Sequence, residues 1–229
     1  MLDALREQVL AANLALPAHG LVKLTSGNVS AIDRDRGLVA IKPSGVAYDT
    51  LTADDIAVID LDGKIVAGER RPSSDTPTHL VLYRAFAEIG AIVHTHSTWA
   101  TAWAQAQREI PLLGTSHADF SSHPVPITRP LTQDEIDGDY EAATGDALVD
   151  AVSGVGPTEL PCALVRGHGP FCWAADTEAA VAAAVTLEEV ARLALLTNLL
   201  DPAVAPLAEV LRDKHHQRKH GPRAYYGQP

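Results

Sequence analysis

Two histidines stand one residue apart at the end of the apolar run Ala91-Ile92-Val93-His94-Thr95-His96. Side chains of a β-strand alternate faces at about 3.3 Å of rise per residue, so His94 and His96 project from one face roughly 6.5 Å apart, within reach of one metal ion. Taken alone, H-x-H more often marks two satisfied histidines near a strand end. A second apolar run, Ala163-Leu164-Val165-Arg166-Gly167-His168, delivers another histidine into a Gly-rich turn. Three neutral imidazoles that leave one position open are the donor set of a catalytic Zn2+ site, and the same ligands suit other divalent ions.

Gly27-Asn28, Ser44-Gly45 and Ser73-Ser74 place small residues at strand ends or just before a helix, where free N–H groups and hydroxyls can cradle an anion. A helix opening at Pro77 adds the positive end of its dipole. Each turn alone is more often only a turn. Beside three histidines, they point to a phosphorylated small molecule whose charge is met by Lys42 or by a basic residue of the C-terminal tail. Asp75 follows the serines directly and either caps the helix or reaches the metal as a carboxylate ligand.

The elements that must hold these residues read as follows. Residues 2–16 have helical spacing of Leu2, Leu5, Val9 and Ala12 and stop at Pro17. Hairpins are expected around 33–37 and at Asp62-Gly63. Thr76 is the expected N-cap of the Pro77 helix. Further strands are expected at 110–113, 125–128 and 162–166, and helices at 98–106, within 132–152, at 177–200 with Thr177 as cap, and at 207–220. Short turns join most strands, so the fold expected is α/β, a three-layer α/β/α arrangement around a largely antiparallel sheet.

The chain of 229 residues, 46% hydrophobic and 21% charged, suits one globular domain over 1–229. No apolar run spans a membrane, and the charged N-terminal helix is unlike a signal peptide, so a cytoplasmic address is expected. A net charge of −11 argues against a nucleic-acid partner, which needs clustered Lys and Arg over an extended face. Arg212, Lys214, Arg218, Lys219 and Arg223 nevertheless gather near the C-terminus beside His215, His216 and His220, where a solvated basic helix end is the plainer account. Cys162 and Cys172 form no C-x-x-C and sit among apolar residues as buried thiols.

Together these segments resemble the class II aldolase/epimerase family. Eight stretches match in order: residues 11–17, Gly27-Asn28-Val29-Ser30, Ile41-Lys42-Pro43-Ser44-Gly45, residues 72–79, Val93-His94-Thr95-His96-Ser97, Thr115-Ser116-His117-Ala118-Asp119, His168-Gly169-Pro170-Phe171 and residues 224–228. The resemblance implies a homotetramer with active sites between subunits, zinc on His94, His96 and His168, and Asp75 at or beside the metal. It further implies Asp119 and Tyr226 as the acid/base pair, with Tyr226 coming from a neighbouring subunit. Gly27, Asn28, Ser44, Gly45, Ser73 and Ser74 become substrate and phosphate contacts, with Lys42, Thr115, Glu141, His215 and Arg218 in supporting positions. Related aldolases carry a longer Glu at position 75, so Asp75 favours an epimerase acting on a phosphorylated ketopentose. The loop Phe120-Ser121-Ser122-His123-Pro124 departs from the family pattern, which has more tyrosine there.

The chemistry suits these residues. A hydroxyl-bearing carbon two bonds from a carbonyl has no acidic proton, so simple enolisation cannot invert it. Cleavage of the adjacent C–C bond and re-addition can, given a cation on the carbonyl and two proton carriers. The rivals are an aldolase of the same fold, a non-catalytic interaction domain, and a zinc hydrolase, the last weakened by the absence of H-E-x-x-H.

Overall fold

The computed structural model describes residues 2–226. Its elements are α1 (Leu2–Ala18), β1 (Asn28–Asp33), β2 (Leu38–Ile41), β3 (Ala57–Asp60), β4 (Ile65–Ala67), α2 (Thr76–Ala85), β5 (Ala91–His94), α3 (Thr98–Gln105), α4 (Thr115–Ala118), α5 (Gln133–Asp137), α6 (Tyr140–Val152), β6 (Cys162–Val165), β7 (Gly169–Ala174), α7 (Thr177–Leu200) and α8 (Glu209–His220). The strands form one sheet in the order β4-β3-β2-β1-β5-β7-β6. Every pair is antiparallel.

Strand parity sorts the core into two layers. Val29, Ala31, Ala91, Val93, Leu164 and Cys172 face α1, α3 and α7, whereas Val39, Ile59, Ile92, Ala163, Phe171 and Trp173 face α2 and α6. Each large apolar side chain fully buried this way contributes about 1.5–3 kcal/mol. The expected three-layer α/β/α architecture is the one observed. Both cysteines are free and buried. Among the described residues no helix is long and apolar enough to cross a membrane.

Local differences have local causes. Strand β7 is absent from the sequence reading, and Pro170 within it is a residue that argues against a central strand. Here Leu164 sends its own N–H and C=O to Pro126 and Thr128, so β6 needs no N–H from Pro170, whose hydrogen-bonding edge faces Thr95 just past the end of β5. Pro17 lies inside α1 rather than ending it, in the last turn. Asp176, not Thr177, caps α7, its carboxylate accepting from Ala179 N at 2.8 Å. Thr76 is the first helical residue of α2 rather than its cap, and its hydroxyl donates to Ser73 O at 2.6 Å. The strands expected at 110–113 and 125–128 are only isolated bridges, Ile110 to Val125 and Ile127 to Leu164. Residues 227 and 228 of the family-like ending lie outside the described residues.

Candidate active site

Across β1, β5 and β7, Asn28, His94 and Phe171 stand opposite one another on the sheet face covered by α2 and α6. The His94 ring stacks on Phe171, with centroids 4.2 Å apart and planes at 19°. Its Nδ1 lies 3.0 Å from the Pro170 carbonyl, which can only accept, so Nδ1 carries the proton and Nε2 keeps its lone pair. His96 follows just past the strand end, and His168 sits in the tight turn between β6 and β7. Ligand atoms of the three histidines all lie within 4.8 Å of one another.

The three rings meet edge to face without bonding to one another, and His168 Nδ1 is buried without a partner. Burial pushes His94 down to about 3. Burial and the neighbouring His96 lower His168 as well, so both rings are neutral electron-pair donors near neutral pH. This donor set fits a divalent cation. The close approach of the two segments depends on Gly169, where a Cβ would come within 2.7 Å of Thr95 O and 3.3 Å of His96 Cδ2.

Asp75 does not use its side chain to cap α2. Its Oδ2 lies 3.9 Å from His94 Nε2, placing the carboxylate beside the three-histidine set. Asn28 Nδ2 donates to Asp75 Oδ2 at 2.7 Å and lies 3.1 Å from Ser73 Oγ. Burial works against ionisation of Asp75, but His94, His79 and the Asn28 bond together hold its carboxyl below the usual range.

Ser44 N donates to Arg71 O, and Ser73 N donates to Lys42 O, both at 3.0 Å, so the two serine turns lie side by side. Gly27, at φ +79°, has no room for a side chain, because a Cβ would sit 2.7 Å from Val22 Cγ1 and 3.0 Å from His94 O. Tyr48 donates its hydroxyl to the carbonyls of Ser26 and Gly27, each at 2.9 Å. Lys42 is buried, with Nζ 3.2 Å from Thr25 O and 4.8 Å above the Tyr48 ring. Its ammonium therefore fastens the loop that carries Gly27 and Asn28. Glu141 lies in the first turn of α6, where its carbonyl accepts the Thr78 hydroxyl at 2.6 Å and ties α6 to α2.

A second group gathers where α4 meets α8. Asp119 closes α4, donating its N–H to Thr115 O at 2.8 Å. Arg218 Nε donates to Asp119 Oδ1 at 2.9 Å and Nη2 to Oδ2, while His215 Nδ1 lies 3.1 Å from Oδ1. Burial raises the Asp119 carboxyl, but the bonds from Arg218 and His215 outweigh it and hold the group below its ordinary value. Tyr226 folds back over α8, its ring centroid 4.7 Å from the Arg218 guanidinium carbon and its N–H on Arg218 O. Part of the basic helix end is thus engaged with Asp119 instead of being merely solvated. In the loop after Asp119, Ser121 is buried with its hydroxyl on Glu159 O at 2.9 Å. Among the described residues, no hydrogen bond or ion pair joins this group to the histidine half.

The sequence reading missed Tyr48, which fastens the glycine loop from a distant segment, and left His79 of the Ser73-Ser74-Asp75 stretch without a role. Neither carries a local motif that would have marked it.

Residues 7–195 match the family described as Class II Aldolase and Adducin N-terminal domain, and the chain belongs to that family. Over 227 residues it is 53% identical to "L-ribulose-5-phosphate 4-epimerase UlaF" of Salmonella paratyphi B (strain ATCC BAA-1250 / SPB7), a match spanning 99% of this chain and 100% of the relative. The protein of that name from Salmonella typhi is 52% identical over the same shares. Among solved structures, an L-fuculose 1-phosphate aldolase superposes with a TM-score of 0.81 at 25% identity, covering 94% of this chain and 95% of that one. The l-fuculose-1-phosphate aldolase from Thermus thermophilus gives 0.69 at 27% identity, over 89% and 100%. Identity of this degree along the full length makes the chain an isomerase of the epimerase kind.

Proposed function

We propose that the chain is a zinc-dependent L-ribulose-5-phosphate 4-epimerase, one domain per chain, acting in the cytoplasm as a homotetramer. The full-length identity to relatives of that name carries this reading. The three clustered histidines support it, with Asp75 beside them where related aldolases have Glu.

The reaction interconverts L-ribulose 5-phosphate and D-xylulose 5-phosphate by retro-aldol cleavage. The C4 hydroxyl gives up its proton, the C3–C4 bond breaks, and its electron pair moves into the enolate of dihydroxyacetone. Glycolaldehyde phosphate turns while held by its phosphate, the enolate re-adds to the opposite face, and the C4 oxygen regains a proton. Bound on His94, His96 and His168, a divalent ion supplies positive charge for the oxygen developing on C2. Asp119 and Tyr226 carry the protons, one on each side of the reacting carbon. Gly27, Asn28, Ser44, Gly45, Ser73 and Ser74 hold the phosphate and the fragments. Lys42 positions their loop, and Thr115, Glu141, His215 and Arg218 serve as supporting residues.

That no hydrogen bond or ion pair among the described residues joins the two groups supports active sites completed between subunits. Asp119, Arg218 and Tyr226 share one cluster, so we place Asp119 and Tyr226 on the same side of the boundary, facing the histidine half of the next subunit. The deciding assay mixes purified protein with L-ribulose 5-phosphate and follows D-xylulose 5-phosphate. Its formation is expected. Free glycolaldehyde phosphate as the main product would instead assign the aldolase activity named for the solved structural neighbours.

A further inference from the structure

Behind the histidine half lies a polar chain enclosed in the core. Ser30, His79 and Tyr83 have exposures of 0%, 0% and 1%. Ser30 Oγ lies 2.7 Å from His79 Nδ1 and 2.8 Å from Tyr83 Oη, so one hydroxyl bridges the other two side chains. Ser30 shares the sheet face of Asn28, two residues away on β1. His79 and Tyr83 stand one turn apart on α2, the helix that Asp75 begins. The His79 ring then meets Phe171 edge to face, with centroids 5.8 Å apart at 68°, and Phe171 carries the stacked His94 ring.

A serine hydroxyl has one proton, so the bridge runs in one of two directions. If His79 Nδ1 donated to Ser30 and Ser30 donated to Tyr83, both the phenolic proton and the His79 Nε2 lone pair would be buried without partners. In the opposite direction Tyr83 donates to Ser30, Ser30 donates to His79 Nδ1, and only the Nε2–H remains unpaired; His79 Nε2 lacks a partner in either direction. The second direction leaves fewer groups unsatisfied and is the better one. Burial lowers His79 to about 4, so the ring is neutral in either case.

We infer that Tyr83, Ser30 and His79 form a positioning relay: it holds His79 in the Nε2–H tautomer and, through Phe171, sets the orientation of the His94 imidazole. The inference rests on reading His94, His96 and His168 as metal ligands. None of the three relay residues need touch substrate. Their effect is on how His94 presents its Nε2, and hence on how firmly a metal is held.

The test uses the full-length protein and the variants Ser30→Ala, Tyr83→Phe and Ser30→Thr. Each is loaded with Co2+, its visible ligand-field bands are recorded, and release to a chelator is timed. Ser30→Ala and Tyr83→Phe are expected to shift the bands and release cobalt about tenfold faster, as loss of outer-shell support typically does, with kcat lowered and KM unchanged. Ser30→Thr retains a hydroxyl and is expected to restore the parent spectrum. In parallel, imidazole nitrogen NMR on metal-free protein follows His79 and His94, with the single His79 tautomer lost and the His94 signals moved in Ser30→Ala. Parent-like bands, release rates and His94 signals in both folded variants, even with lowered thermal midpoints, would overturn the relay and leave a purely structural network. If the parent takes up no cobalt, the metal reading itself fails, and the NMR arm alone still decides whether the relay orients His94.

Discussion

Arg218 grips Asp119 with two nitrogens, Nε on Oδ1 at 2.9 Å and Nη2 on Oδ2, across the junction of α8 and α4. The folded-state pKa of Asp119 is depressed despite the opposing effect of burial. The stability this contributes is therefore present above the ordinary carboxylate value and disappears as pH falls through the lower folded value. Arg218→Gln should flatten that acid dependence in denaturant melts taken at a series of pH values. It should also move the acid limb of the kcat profile upward. An unchanged acid limb would remove Asp119 from proton transfer.

Treatment with a chelator should abolish activity, and zinc should restore it. His96→Asn should lower bound zinc and turnover together, because it removes one of three clustered donors. Full turnover by a protein shown by elemental analysis to be metal-free would refute the metal reading.

L-Ribulose without its phosphate should turn over far more slowly than the 5-phosphate if, as proposed, binding at the paired serine turns also holds the aldehyde fragment during rotation. Steady-state assays on the two sugars make the comparison. Equal kcat/KM values would dismiss Ser44, Ser73 and Ser74 as phosphate ligands.

Asp119→Asn and Tyr226→Phe should each cost on the order of 10²–10⁴ in rate. Co-assembly then reports geometry. Mixing Asp119→Asn with His96→Asn subunits after dissociation should rebuild about a quarter of the sites if the two halves come from different chains, because a closed ring repeats one interface. Mixing Asp119→Asn with Tyr226→Phe should rebuild none if those two groups share a chain. Recovery in the second mixture would place Tyr226 across the boundary from Asp119.

Glu188 of α7 accepts from Trp99 N at 2.8 Å and Ala100 N at 3.0 Å, capping the helix that begins just after His96. Ser97, the N-cap residue, makes no side-chain cap bond of its own. Glu188→Ala should cost about 2 kcal/mol in denaturant unfolding, the scale of a lost cap with charge-assisted bonds.

What could be read from the sequence was whatever rests on short-range pattern. The H-x-H strand, the Asp62-Gly63 hairpin and the short turns that make the sheet largely antiparallel are all periodic or turn signals. Strand β7 escaped because Pro170 is tolerated through its register with Leu164 of β6 and with Thr95 past the end of β5, pairings visible only once those segments lie beside it. Glu188 and Tyr48 escaped because each acts on a backbone segment far away in the chain. His79 was within view but looked like any helix residue, since its partners Ser30 and Phe171 arrive from other strands.

The row formed by Asn28, His94 and Phe171 draws on strands from widely separated parts of the chain. His94 and His96 at the end of β5 and His168 in the turn between β6 and β7 are far apart in the chain, so no local fragment brings the three candidate ligands together; β5 and β7 must pair first. A cation that binds only this completed arrangement stabilises the native state by mass action while giving nothing to partly folded chains. Ion uptake during refolding is therefore expected only after β5 and β7 have paired, and its rate would report that pairing.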